Sequence, residues 1–156
     1  IIQIEDQELI VNFLDIMENH KMLVENSGLL TVAALKHLDC KNKKVVSILS
    51  GGNMDIITLS SVVQHGLIQR GRVFTVSVQL PDRPGELGKV ANVIAEMKGN
   101  VIRLEHNQFV SINRNAAVEL RITMEAFGQN HKKEIIDRLK KEGYTPKEES
   151  PTGIYE

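Results

Sequence analysis

Two short stretches combine residue types and spacings that could do chemistry. The first is Pro81-Asp82-Arg83-Pro84-Gly85-Glu86-Leu87. Its prolines withhold amide donors, and Gly85 tolerates backbone conformations that other residues avoid, so an extended chain arriving here must break. A helical pattern begins at once. A tight turn feeding a helix start leaves backbone amides without intrachain partners, and these suit a carboxylate or a phosphate. That is the chemistry of binding rather than of bond-breaking. The second stretch is Ser50-Gly51-Gly52-Asn53, a hydroxyl and two glycines directly after the apolar run 45–49. On the residues alone it reads first as a loop and helix cap. The other reactive types are scattered: His20, His37, His65 and His131 share no metal-ligating spacing, Cys40 stands alone, and no metal site is expected.

The elements that would hold these stretches follow from hydrophobic periodicity. Phe74, Val76, Val78 and Leu80 alternate, so a strand leads into the 81–85 turn. Beyond it Leu87, Val90, Ala91, Ile94 and Met97 share one face of a helix, with Gly99 as its expected stop. A second strand is expected over 101–110, a hairpin at 111–115, and a third strand through Val118, Leu120, Ile122 and Met124. His106, on a partly polar strand face, reads as an edge residue, with contact to a ligand or a partner subunit as the alternative. Ile135, Ile136 and Leu139 mark a helix ending at Gly143, 144–147 an edge strand, and 148–156 a tail. Strand–helix–strand–strand–helix–strand is the ferredoxin-like split arrangement.

Ahead of this lies a different pattern. A helix is expected over 6–20, capped by Asp6, and a second over 29–38, apolar nearly all round and so buried. The run 45–49 predicts a strand covered on both faces, and a helix should span 55–69. One such strand makes no sheet alone. Residues 1–72 are therefore expected to be the end of a larger α/β domain, with apolar faces such as Leu9, Phe13 and Met17 driving association or staying partly molten. The first residue is Ile, which also suggests a fragment.

Composition sets wider bounds. The chain has 156 residues, 42% of them apolar and only 4% aromatic, so aliphatic side chains must fill any core. A net charge of −1 argues against nucleic acid or an anionic membrane surface as partner. One cysteine forms no internal disulfide, which suits a cytoplasmic location. No apolar run approaches the ~20 residues that span a bilayer.

At the 82–87 turn the residues support a resemblance. Asp82-Arg83-Pro84-Gly85-x-Leu87, a helix, then Gly99-Asn100-Val101-Ile102 resembles the ACT domain, a βαββαβ amino-acid-sensing module, over residues 73–147. The resemblance implies an effector bound between paired ACT domains, touched by Asp82, Pro84, Gly85, Glu86 and Leu87 on the turn and by Asn100 and Val101 on the second strand. It also implies a homo-oligomer formed through these domains. Val24-Glu25-x-Ser27-Gly28, a helix, an apolar run and Ser50-Gly51-Gly52-Asn53-x-Asp55 resembles the end of the catalytic domain of threonine and serine dehydratases, fold-type II pyridoxal-phosphate enzymes. There the hydroxyl at Ser50 would meet the pyridine nitrogen, Gly51 and Gly52 would let the backbone pass the ring, and Glu25 would lie beside cofactor and substrate.

The Schiff-base lysine, in its Ser-x-Lys-x-Arg-Gly context, and the glycine-rich phosphate loop of that family are not in the sequence. The combined expectation is the regulatory end of a threonine dehydratase, whose parent turns threonine into 2-oxobutanoate and ammonia. Pyridoxal phosphate would belong to the intact parent, and this stretch alone would bind none and be inactive. The effector would be isoleucine, valine or a nucleotide. The alternative is a free-standing ACT regulator without catalysis.

Overall fold

The computed structural model describes residues 1–107 and 118–150. The expected hairpin at 111–115, the end of the second strand and the tail from 151 lie outside them. The chain divides into two compact units, Ile1–Gln69 and Arg70–Glu156.

In the second unit, β1 (Val73–Leu80), α4 (Glu86–Glu96), β2 (Asn100–Asn107), β3 (Val118–Glu125), α5 (Gln129–Lys141) and β4 (Lys147–Glu149) follow in the expected order. The sheet runs β2-β3-β1-β4 with antiparallel neighbours, so the first and last strands lie side by side. β1 is central because its alternation buries Phe74, Val76, Val78 and Leu80, each no more than 3% exposed. They meet Val90, Val93 and Ile94 of α4, Leu120, Ile122 and Met124 of β3, and Ile135, Ile136 and Leu139 of α5. Leu87, expected on the buried face of α4, is instead exposed, and Val93 takes its place.

Two local expectations are corrected. The left-handed residue that ends α4 is Lys98, at φ 62°, rather than Gly99. Gly99 is needed for packing: a Cβ there would stand 2.8 Å from Ile94 Cγ2 and 3.2 Å from Ile135 Cδ1. The last strand is Lys147–Glu149 rather than 144–147. The amides of Gly143 and Tyr144 donate to Lys140 and Leu139 carbonyls to close α5, so the next residues are used in the crossing to the β1 edge. Arg121 then holds β4, with Nε 2.9 Å from Glu149 Oε2 and Nη2 donating to Ser150 O. β2 is an edge strand interrupted by a bulge between Val101 and Arg103, and neither of its faces is buried.

The first unit is helical: α1 (Asp6–His20), α2 (Asn26–Ala33) running into a 3₁₀ turn (Ala34–His37), and α3 (Ile56–Gln69). Leu9, Phe13, Leu14, Val24, Leu29, Ala33 and Val62 form its core. Glu5, not Asp6, caps α1, and its amide is answered by Glu8 Oε2 at 3.3 Å. The strand expected at 45–49 does not form, because this unit offers no strand for it to pair with; Val46 and Ile48 are 89% and 76% exposed. The all-round burial expected for 29–38 fails similarly, since Leu29 is buried while Leu30 and Leu38 face solvent. Among the described residues no helix is long and apolar enough to cross a membrane.

The two glycines of α4 and its exit make opposite predictions. Gly99→Ala should destabilise the protein by about 1–3 kcal/mol through overpacking against Ile94 and Ile135. Gly88→Ala, with nothing within 4 Å of the new methyl, should be neutral or stabilise by up to about 1 kcal/mol. Denaturant unfolding of both variants checks the pair. Equal stabilities would mean that the close approach at Gly99 is not a constraint.

Candidate functional site

The Asp82–Leu87 turn gains a definite shape from its neighbours. β1 ends at Leu80, and Gly85 adopts φ 92°, a conformation that strains any residue with a Cβ, to start α4. The Arg83 amide donates to Pro81 O and the Glu86 amide to Arg83 O, which fixes the turn. The amides of Leu87 and Gly88, in the first turn of a helix, make no such bond. A cleft of about 330 Å³ results, lined by residues 80–87 and by His106. Glu86 binds Lys89 Nζ at 2.7 Å, and that hydrogen bond raises the lysine above its ordinary range. His106 reaches the cleft because β2 runs parallel to β1, two strands away, so both end on the same side of the sheet.

The same direction separates the remaining expected residues. Asn100 and Val101 start β2, and Asn100 Nδ2 donates to Glu125 Oε2 at 2.8 Å at the opposite end of the ladder. Six strand residues span about 20 Å. Within one chain, Asn100 and Val101 are therefore not brought to the turn. His106, read from the sequence first as an edge residue with ligand contact as the alternative, lines the cleft, and its placement depends on strand order, which no local pattern encodes.

In the first unit, Glu25, Ser27, Gly28, Ser50 and Gly51 do come together. The Glu25 amide donates to Gly51 O at 3.1 Å, and Ser27 Oγ donates to Glu25 Oε1 at 2.6 Å. A Cβ on Gly28 would fall on the Ser50 carbonyl, and one on Gly51 would meet the Glu25 carboxyl group. Gly51 also adopts φ 76°. Gly52 is more open, with only Leu23 O near a Cβ position. Gly28 thus lets the start of α2 approach the Ser50 backbone, and Gly51 leaves room for the Glu25 carboxyl group. Asp55 then caps α3, accepting from Thr58 N at 2.9 Å and from the Thr58 hydroxyl. Those bonds, the hydroxyl's first, hold its carboxyl below the ordinary aspartate range. Glu8 is lowered likewise, chiefly by its hydrogen bond with His37 Nε2 at 3.0 Å. Among the described residues, no group of three His, Cys, Asp or Glu side chains could hold a metal ion.

Comparison with known proteins bears on both sites. Residues 74–143 match the family profile described as ACT domain. The chain carries an ACT domain. Over 92% of its length it is also similar to L-threonine ammonia-lyase of Geobacter sulfurreducens, with 34% identity, and to that of Thermotoga maritima, with 30% identity. The biosynthetic L-threonine dehydratase IlvA of Pasteurella multocida is 28% identical, again over 92% of this chain. The chain spans 36% of the length of the first two relatives and 28% of the third. The sheet order of the ACT domain is the ferredoxin-like one expected from the sequence.

The helix caps of the first unit carry a pH dependence. A carboxyl whose folded pKa is depressed stabilises the fold above its unfolded value, and that contribution is lost as pH falls through the folded one. Amide exchange over residues 56–69 should therefore accelerate on acidification below the ordinary aspartate range. Asp55→Asn should flatten this acid limb, and an unchanged limb would show that the cap contributes nothing.

Proposed function

We propose that this chain is the effector-sensing portion of a threonine-deaminating enzyme, its ACT domain binding a small effector at the 82–87 turn. The observation that carries the reading is the cleft at the end of β1 and β2, walled by that turn, in a chain similar along 92% of its length to threonine ammonia-lyases. A free-standing ACT regulator would give no reason for similarity to extend through residues 1–69.

The effector site is completed by a second copy. β2 is an unpaired edge with Val101 and Leu104 exposed, and a two-fold antiparallel pairing of two such edges is the simplest way to cover them. Such a pairing sets the start of one β2 opposite the end of the other. Asn100 and Val101 of the second copy would then approach the His106 end, alongside Asp82, Pro84, Gly85, Glu86 and Leu87. Effector binding between copies would favour one arrangement of the oligomer and so alter a distant site.

The relatives' activity is the deamination of threonine, and the Glu25–Ser50 cluster fits one edge of the pyridoxal phosphate ring that such enzymes use. The Ser50 hydroxyl would face the ring nitrogen, Gly51 and Gly52 would leave room for the ring, and Glu25, held by Ser27, would stand beside it. The cofactor, when bound, supplies the electron sink for β-elimination. A neutral hydroxyl does not hold a proton on the ring nitrogen, which tempers that sink. The lysine that would carry the cofactor is not among these residues. Exposed Val46, Ile48, Ile56 and Ile57 fit a unit that packs on a sheet from the rest of a catalytic domain.

Calorimetric titration of the purified chain with isoleucine, valine, threonine, serine, AMP and ADP tests the reading. One amino acid or nucleotide is expected to bind, and Gly85→Val, which forces a β-branched residue into φ 92°, should abolish that binding. Binding unaffected by the substitution would move the effector away from this turn.

A further inference from the structure

We infer that His106 sets the specificity of the effector cleft by taking the carboxylate of a free amino acid; this rests on the effector reading above. Among the described residues that line the cleft, all but one come from the continuous segment 80–87, and His106 comes from β2, across β3 from β1 in the sheet. A residue held on a strand has a fixed position relative to that turn, whereas the turn's own side chains move with it. The ring is also uncommitted. In the same unit His131 is fully engaged: its Nε2 donates to Met97 O at 2.6 Å, its Nδ1 accepts the Phe127 amide at 3.0 Å, and it stacks on Phe127 with ring centroids 4.7 Å apart. The His106 side chain has no hydrogen-bond or ion-pair partner among the described residues and the residue is exposed, so it has no packing role to account for it.

The charges around the cleft indicate which part of a ligand His106 would meet. Glu86 is bound to Lys89, which leaves Asp82 as the lining carboxylate without a partner. Asp82 suits an ammonium group. An α-amino acid anchored there by its ammonium must direct its carboxylate away from Asp82, toward a donor on another wall. An imidazole N–H is such a donor, and a hydrogen bond to a charged group is stronger than one between neutral groups. Within one chain Arg83, beside Asp82 on the turn, is the competing donor. Leu87, 38% exposed, adds apolar surface to the lining for an aliphatic side chain.

The test pairs changes in the protein with changes in the ligand. Isoleucine, valine and threonine, and the carboxamide of each, are titrated into the chain as wild type and as His106→Leu, His106→Gln and Arg83→Leu. Wild type should bind one acid in preference to its amide. His106→Leu should weaken the acid about ten- to hundredfold, as expected for loss of a hydrogen bond to a charged group, and leave the amide nearly unchanged. His106→Gln, which keeps a donor, should recover part of the loss. Thermal unfolding of all variants should match wild type. If His106→Leu binds the acid as tightly as wild type, or if Arg83→Leu rather than His106→Leu removes the preference, the inference is overturned while the effector reading stands. If wild type binds none of these ligands, the inference falls, and the effector reading falls with it only if serine, AMP and ADP also fail to bind.

Discussion

The second unit depends on β1 being buried on both of its faces. Phe74, Val76, Val78 and Leu80 point into the helix-covered core, and the burial of each contributes roughly 1.5–3 kcal/mol. On the other face Thr75 and Ser77 are also buried, and Thr75 Oγ1 lies 2.8 Å from Thr123 Oγ1, so the polar atoms sealed there are satisfied. With β3 along its full length on one side and β4 on the other, β1 cannot slip by one residue without turning four core side chains outward. The turn at 81–85 is therefore delivered to a fixed place. Its prolines and Gly85 decide its shape, but the ladder decides where it stands.

This separates what was legible in the sequence from what was not. The alternation of β1 and β3 and the helical spacing of α4 and α5 were visible because each is a local pattern with one dominant solution. The run 45–49 was equally apolar, yet it forms no strand. Backbone donors and acceptors in a strand must be answered by another strand, and residues 1–69 contain none. Periodicity reports which face a segment would bury, never whether a partner exists. The exchange between Lys98 and Gly99 has a similar cause: glycine is demanded by a left-handed turn or by close approach, and the sequence shows only that one of the two applies. Here Ile94 and Ile135 require it, while lysine accepts the left-handed position one residue earlier.

The candidate site divides along the same line. Its turn is local, so the residues from Asp82 to Leu87 could be named from the chain alone. Glu25, Ser27, Gly28, Ser50 and Gly51 could be matched only as separated motifs, and their contact is visible once the Gly51 carbonyl is seen to accept the Glu25 amide. His106 lies nineteen positions beyond Leu87 and reaches the turn only through strand order. Bracketed by Glu105 and Asn107 on an edge strand, it has the surroundings of an ordinary solvent-facing residue.

Asn100 poses the sharpest form of this problem. It and His106 belong to one strand, so any arrangement that brings one to the turn of its own chain holds the other about 20 Å away. If both contribute to one site, that site draws on two chains, and the symmetry follows from the strand: only an antiparallel meeting of β2 with its copy exchanges the two ends. The exposed apolar positions on β2, Val101 and Leu104, lie toward opposite halves of the strand, as a self-complementary edge requires. A ligand held between two such edges contacts both copies at once. Its binding energy can then be exerted on the relative placement of the copies rather than on either fold alone, which is the physical condition for a signal to leave the domain.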